Sequence, residues 1–256
     1  MPRLSTAPRK FANATRRAVR NPRWLGETVR TKLRTRADRD RHFSLAEHST
    51  HLCSVAQALV DAFGVTADEC RVLAARVRIP PAPAGVTWGG GRDILDLTGS
   101  LVLLRRPSTV VETGVAMGFS TAVILAAMAE NRAGALHSID LPPLQVQPGT
   151  FVGEVVAPEL RDRWTLHAGP SRILLPALVR ELAPIDLFIH DSDHSYDGQY
   201  EEYREVWPRL GIGASLVSDD VCNAAFMDFA AEVGERPYLI APPGQEAAVG
   251  LLVKTR

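Results

Sequence analysis

From Thr109 onward, short apolar segments alternate with helical segments, and this alternation is the feature that most constrains the fold. The apolar segments span residues 109–113, 135–140, 164–168, 185–191, 214–220, 237–241 and 247–254. The helical segments span residues 119–130, 171–182, 196–210 and 224–233. Strands that alternate with helices form largely parallel sheets with helices on both faces. The pattern therefore predicts an α/β fold with a seven-stranded sheet.

The last two predicted strands are joined only by the short segment at residues 242–246. A parallel connection needs a crossover of a dozen or more residues, so this link is too short to make one. We therefore expect the last strand to run antiparallel to its neighbour.

The chain before this alternating part divides into two regions. Residues 1–41 carry 13 Lys and Arg against 3 Asp and Glu, and we interpret them as a basic, flexible arm. Residues 42–106 are predicted to be a helical N-terminal region or lid, with helices from Ser44 to Phe63, from Thr66 to Val77 and from Ile94 to Leu104. Residues 107–256 would form the main domain.

Composition excludes several classes of protein. The chain has no run of 18 apolar residues, so we expect no transmembrane segment. The three cysteines have no CxxC spacing, which argues against a disulfide framework and, with no signal-like segment, favours a cytoplasmic protein. The arm has no recognised nucleic-acid motif, so no specific nucleic-acid partner is expected. A homo-oligomer is possible on this sequence.

Ligands of open α/β sheets bind at the carboxyl ends of the strands, and the first such end here is a glycine turn. Glu112 ends the first strand, and Gly114 and Gly118 precede Ser120 at the start of a helix. The turn fails the G-x-G-x-x-G fingerprint of dinucleotide sites at two positions. A carboxylate at Glu112 suits a ligand that carries an ammonium group. A plain strand-to-helix turn stays open as an alternative.

Acidic residues end three further strands. Asp140 ends the second strand, where a carboxylate commonly binds a ribose diol, although a helix cap is the simpler alternative. Asp191 ends the fourth strand, and Asp219 and Asp220 end the fifth. Neighbouring strand ends would bring these three carboxylates together, where a cation such as Mg²⁺ would neutralise their repulsion. They could also be separate loop carboxylates.

His194 follows Asp191 by three residues and would face a metal-bound substrate. The pKa of histidine lies in the working range of a general base. The segment from Asp191 to Tyr196 therefore predicts both a metal ligand and a proton acceptor.

With these motifs in view, residues 107–256 resemble a class I S-adenosylmethionine (SAM)-dependent methyltransferase with a Rossmann-like sheet. The ETGVAMGFS, DSDHSY and SDD segments are similar to those of metal-dependent O-methyltransferases. The resemblance is strongest to enzymes that methylate sugars of macrolides and to the cephalosporin hydroxylase-like group, and weaker to the catechol and caffeoyl-CoA type. The catechol type has a lysine base at the position of His194, whereas the macrolide-sugar type has a histidine.

The resemblance implies a role for each matching residue. In the cofactor SAM, Glu112 would bind the ammonium group and Ser120 the carboxylate. Asp140 would bind the ribose, and Ser171 would contact the adenine. Gly114 and Gly118 would shape the turn. Mg²⁺ or another divalent cation would be bound by Asp191, Asp219 and Asp220, and His194 with Asp191 would be catalytic. The acceptor would be a hydroxyl of a small molecule or sugar.

Three other functions stay open at this point. A hydroxylase-like enzyme or a non-catalytic scaffold could share the same fold, because a fold does not fix an activity. An NAD-dependent oxidoreductase is disfavoured by the failed glycine fingerprint and by the aspartate cluster.

Overall fold

The computed structural model describes residues 43–83, 91–141, 152–242 and 245–256, together with Gly26. Within them, the strands are β1 Leu52–Cys53, β2 Thr109–Thr113, β3 Ala135–Asp140, β4 Trp164–Ala168, β5 Ile185–His190, β6 Leu210–Val221, β7 Tyr238–Ile240 and β8 Ala248–Val253. The α-helices are α1 Val55–Phe63, α2 Ala67–Arg76, α3 Arg92–Arg105, α4 Phe119–Asn131, α5 Ser171–Leu182, α6 Tyr196–Val206 and α7 Ala225–Val233. Short 3-10 helices span Leu45–His51, Pro158–Arg163 and Trp207–Arg209.

The strands form one sheet in the order β1-β7-β8-β6-β5-β2-β3-β4. All neighbouring strands are parallel except at β8, which runs antiparallel to both β6 and β7. The predicted α/β class, the Rossmann-like parallel sheet and the antiparallel last strand are therefore confirmed. Seven strands were predicted, and the described residues contain an eighth, β1.

The extra strand corrects the prediction of one helix from Ser44 to Phe63. A 3-10 helix ends at His51, the two residues of β1 pair with β7, and α1 begins only at Val55. Ser54 caps α1, because its hydroxyl accepts a hydrogen bond from the backbone N–H of Gln57 at 3.1 Å. This cap starts the helix after the strand has joined the sheet.

Two apolar layers cover the sheet. Helices α1 to α4 pack on one face, where Leu59, Leu101 and Ile124 are buried with Val110 of β2. Helices α5 to α7 pack on the other face. The first layer joins the N-terminal helices to the same core as the main domain. A lid function for residues 42–106 stays a prediction.

The predicted basic arm, apart from Gly26, and residues 84–90 before α3 lie outside the described residues. Among the described residues, no helix is long and apolar enough to cross a membrane.

Sheet register determines where the site residues lie. Thr113 of β2 pairs with His190 of β5 and with Ile139 of β3, while His190 also pairs with Ser218 of β6. The residues that follow these positions therefore meet at one edge of the sheet. That edge carries the glycine turn, Asp140, Asp191 and the Asp219-Asp220 pair.

Candidate functional site

The glycine turn after β2 has an unusual backbone. Gly114, Ala116 and Gly118 have φ angles of 85°, 46° and 90°, all in the region that favours glycine. At Gly114 a side chain is also excluded by contact, since a β-carbon there would run into the carbonyl oxygen of Asp191. Gly114 therefore serves the packing of two strand ends against each other. The sequence predicts only that the glycines shape this turn, and the packing role of Gly114 is additional.

Asp140 holds the turn from the neighbouring strand. Its Oδ2 accepts hydrogen bonds from the backbone N–H groups of Val115 at 2.7 Å and Ala116 at 2.9 Å. Burial raises the pKa of this carboxyl, and the two backbone bonds act in the opposite direction. Within the described residues, its Oδ1 accepts no hydrogen bond, so the carboxylate has one oxygen left for a ligand at the turn.

Glu112 lies beneath the turn and is fully buried. Its Oε1 accepts a hydrogen bond from the hydroxyl of Ser120 at 2.6 Å. Its Oε2 accepts two more, from Thr121 and Ser138, each at 2.7 Å. Burial raises the pKa of the Glu112 carboxyl, and the three hydroxyl donors oppose that rise.

This arrangement gives Glu112 and Ser120 a supporting role, and their predicted contacts with a cofactor stay predictions. Three hydroxyls donate to the Glu112 carboxylate, which leaves one lone pair of Oε1, and the side chain has no exposed surface. Direct contact with a cofactor ammonium would therefore require the residues above Glu112 to move. Ser120 likewise gives its hydroxyl hydrogen to Glu112. In the structure, both residues lie below the turn and support the start of α4.

The three predicted metal ligands lie near one another. Asp191 follows β5, and Asp219 is next to the Ser218 that pairs with His190. The pKa of Asp191 is raised well above its usual range, first by burial and then by the charges of Asp219, Glu112, Asp220 and Asp140. Burial and the charge of Asp220 raise the pKa of Asp219 to about 6. Carboxylates that repel one another in this way form an environment that attracts a cation.

The donor set is suited to a hard divalent cation, although it is not already arranged as a metal centre. Carboxylate oxygens are the ligands that Mg²⁺ prefers, with water completing its shell. In the part of the chain that the structure describes, no three His, Cys, Asp or Glu side chains are grouped closely enough to hold an ion. Asp220, which has a φ angle of 47° and is exposed, would have to turn inward.

His194 stands beside this acidic group. Its Nε2 lies 3.5 Å from Oδ1 of Asp191. Its Nδ1 is buried without a hydrogen-bond partner in the described residues. Burial lowers the pKa of His194, and the neighbouring His190 lowers it further. A neutral imidazole next to the acidic edge can accept a proton.

Two polar residues on α6 that were not predicted from the sequence connect parts of the site through hydrogen bonds. Gln199 is fully buried, and its Nε2 lies 3.4 Å from the backbone oxygens of both Asp219 and Asp220. Its Oε1 accepts a hydrogen bond from Asn223, whose Nδ2 also donates to the backbone oxygen of His194 at 3.0 Å. The loop after β5 and the loop after β6 are therefore connected.

The second residue is Glu202, a buried carboxylate below the loop after β5. It accepts hydrogen bonds from Thr113 at 2.6 Å and Ser192 at 2.9 Å, and it lies 2.8 Å from Nδ1 of His190. Ser171 also donates to Glu202, so this predicted adenine contact presently points into the protein. These donors and His190 lower the pKa of Glu202 in spite of its burial.

A signal for both residues was present in the sequence. Gln199, Glu202, Tyr203 and Val206 recur at helical spacing and share the buried face of α6. Two polar residues on a face that also carries Tyr203 and Val206 indicate a polar network, because buried polar groups need partners. Among the tyrosines of this helix, Tyr203 is buried whereas Tyr196 and Tyr200 are half-buried.

With this geometry established, comparison with known proteins identifies the domain. The family model described as a methyltransferase domain matches residues 111–221, which contain the glycine turn, Asp140, His194 and all three site aspartates. Residues 111–221 therefore match a methyltransferase domain. The predicted class, a SAM-dependent methyltransferase, is thereby confirmed.

Solved structures agree on the fold of this methyltransferase. The O-methyltransferase TomG from Streptomyces achromogenes, involved in tomaymycin synthesis and solved with SAM, has a TM-score of 0.51 and 19% identity, covering 62% of this chain and 78% of its own. An O-methyltransferase from Bacillus cereus in complex with SAH has a TM-score of 0.51 and 13% identity, covering 78% of this chain and 97% of its own. A search of curated proteins finds no match to the sequence.

Proposed function

We propose that this methyltransferase transfers the methyl group of SAM to a hydroxyl oxygen of a small molecule or sugar, with a divalent cation assisting. The observation that carries the proposal is that Asp191, Asp219, Asp220 and His194 lie at the same edge of the sheet as the glycine turn. The charges of Asp140 and Glu112 act on Asp191 together with those of Asp219 and Asp220. The cofactor end and the acidic end therefore belong to one site.

The cofactor would lie along the glycine turn. The start of α4 offers the positive end of a helix dipole to the carboxylate of the methionine part. Oδ1 of Asp140 would accept from the ribose hydroxyls while Oδ2 keeps the turn in shape. Glu112 and Ser120 act from below, and Ser171 would contact adenine only after leaving Glu202.

The acceptor hydroxyl would lie between His194 and the three aspartates. Asp191, Asp219 and Asp220 would hold Mg²⁺ or a similar cation, whose contribution is to lower the pKa of a bound hydroxyl. His194 would take the hydroxyl proton at its ring nitrogen, and the oxygen would then attack the sulfonium methyl in line. Asn223 keeps the backbone of His194 in position through its bond at 3.0 Å.

Two features favour this acceptor class. TomG, which was solved with SAM, and the Bacillus cereus protein, which was solved with SAH, are both O-methyltransferases. The base position carries a histidine, as in the macrolide-sugar enzymes that the DSDHSY segment resembles. A sugar hydroxyl is accordingly our first candidate, and a phenolic diol is the second.

The test begins with calorimetric titration of S-adenosylhomocysteine, with and without Mg²⁺, into wild type and His194→Ala. We expect a dissociation constant near the micromolar range, about −8 kcal/mol, in both proteins. Methyl transfer from labelled SAM to a panel of glycosides and catechols should then occur with wild type, fall in His194→Ala, and respond to chelation. Absence of cofactor binding under every metal condition would refute the proposal, and full activity of His194→Ala would remove its role as base.

A further inference from the structure

A pair of histidines lies outside the methyl-transfer site. His137 of β3 and His167 of β4 bring Nδ1 and Nε2 to 3.4 Å from each other. Their ring centroids are 5.7 Å apart and the ring planes differ by 22°. A nitrogen lies roughly 1.1 Å from its ring centre, so these distances mean that the two nitrogens point almost directly at each other. In the structure this contact is a hydrogen bond, in which the N–H of one neutral ring is donated to the other, and a bound cation would take the place of that proton.

The sheet itself creates this pairing. His167 is the register partner of Ile139, which is two residues after His137. Side chains two residues apart on a strand share a face, so both histidines lie on the face that packs against α5. Since β4 is the last strand in the sheet order, this pair stands at an edge of the sheet, and both side chains are half-buried.

We propose that His137 and His167 bind a transition-metal ion of the Zn²⁺ type at this edge, separately from the site for methyl transfer. Zn²⁺ binds imidazole nitrogen at about 2.0–2.1 Å in tetrahedral geometry, which separates two such nitrogens by about 3.3–3.4 Å. The observed separation is 3.4 Å. Because the nitrogens now point at each other, each ring would have to turn by about 35° to direct its lone pair to an ion with tetrahedral geometry. Both rings are half-exposed.

The electrostatics of the pair suit metal binding. Burial and the neighbouring His167 lower the pKa of His137, so the neutral form that binds metal is favoured at physiological pH. The charge of Glu181, at the end of α5, acts on His137 in the opposite direction, which shows that a carboxylate lies within electrostatic range. A cation between the rings would be stabilised by this charge. Water would complete the coordination shell, because no third ligand is grouped with the pair among the described residues.

The experiment is a calorimetric titration of Zn²⁺ into the full chain near neutral pH. Wild type is compared with His137→Ala, His167→Ala and the control His51→Ala, which removes a half-buried histidine from the N-terminal 3-10 helix. Asp219→Asn reports any Zn²⁺ held at the methyl-transfer site. Thermal melting of each variant verifies folding, and His167→Cys supplies a substitute zinc ligand at the same position.

We expect one binding event that weakens about tenfold or more in His137→Ala and His167→Ala. The event should persist in His51→Ala and Asp219→Asn, return in His167→Cys, and weaken near pH 5 as the imidazoles protonate. Absence of the event in wild type, or an unchanged isotherm in folded His167→Ala, would overturn the proposal. Loss in Asp219→Asn alone would do the same, because the ion would then belong to the other site.

Discussion

The backbone carbonyl of Asp191 lies against the α-carbon of Gly114, in the space that a β-carbon would occupy on any other residue. A hydrogen bond of 2.7 Å from the N–H of Asp191 to the oxygen of Thr113 holds the same two strand ends together. The glycine turn and the acidic edge are thus in direct backbone contact. Any displacement of one moves the other.

Gly114→Ala should therefore damage the protein much more than an ordinary glycine substitution. Gly64 is the matched control, because it also has a positive φ, of 70°, but no atom within 4 Å of the β-carbon position. Gly64→Ala should cost about 1–2 kcal/mol of unfolding free energy from backbone strain alone. Gly114→Ala should exceed about 4 kcal/mol or prevent folding. Urea denaturation measures both, and equal costs would contradict the contact.

Asp140→Ala should abolish binding of S-adenosylhomocysteine. Asp186→Ala is its matched control, since Asp186 also accepts from two backbone N–H groups, those of Ser108 and Thr109, but at the other end of the sheet. Both variants should lose comparable stability, on the order of 1–3 kcal/mol. Calorimetry should show lost affinity only for Asp140→Ala. Equal losses of affinity would mean that Asp140 acts through stability alone.

Glu202→Gln should destabilise the chain by about 3 kcal/mol or more, because a neutral amide in a buried position leaves donors from Thr113, Ser192 and His190 poorly satisfied. Glu201 next to it pairs with Arg172 with both side chains about half exposed. Glu201→Gln should accordingly change the unfolding free energy by at most about 1 kcal/mol. Chemical denaturation of the two variants side by side tests the difference.

The raised pKa of Asp219 predicts a pH dependence of stability. Its pKa is about 6 in the folded state against an ordinary value of 3.8. Between these values the folded state keeps a proton that the unfolded state has lost, so the free energy of unfolding falls as pH rises from about 4 to 6. Asp219→Asn should lack this loss. Melting temperatures of both proteins across this range, with and without Mg²⁺, measure it.

Above pH 6, where the carboxylates are charged, Mg²⁺ should restore the free energy of unfolding that wild type has lost. Mg²⁺ should stabilise Asp219→Asn less, because that variant lacks one of the carboxylates. The test compares the stability of wild type with that of Asp219→Asn at each pH. This comparison is needed because Glu202 has a lowered pKa, so its own contribution makes stability rise with pH in both proteins. A difference that does not vary with pH would contradict the raised pKa.

Much of the fold was predictable because strand and helix periods are local. The predicted bounds of β2, β3, β4 and α5 agree with the structure. The nearness of Asp191 to Asp219 and Asp220 followed from one rule, that parallel strands end at the same edge. The two residues of β1 were missed because a strand of that length has no periodicity to detect.

The roles of individual side chains were harder to predict because they depend on partners distant in sequence. Ser138, which supplies one of the hydroxyls on Glu112, lies 26 residues away, and Thr113 lies 89 residues from Glu202. Helical and strand patterns indicate which face of an element a residue occupies. They do not indicate which side chain will form a hydrogen bond with it. The sequence therefore predicts a ligand group at Glu112 without showing that three hydroxyls surround its carboxylate.

The two carboxylate oxygens of Asp140 differ in their surroundings: Oδ2 accepts hydrogen bonds from the turn, and Oδ1 is free for a ligand. If the free oxygen receives the ribose, then ordering of the turn and occupancy by the nucleoside are linked equilibria, and each must favour the other to the same extent. A cofactor that departs would loosen the backbone next to Asp191, where the acceptor is to bind. The acceptor would then find the backbone beside Asp191 ordered only while the cofactor is bound.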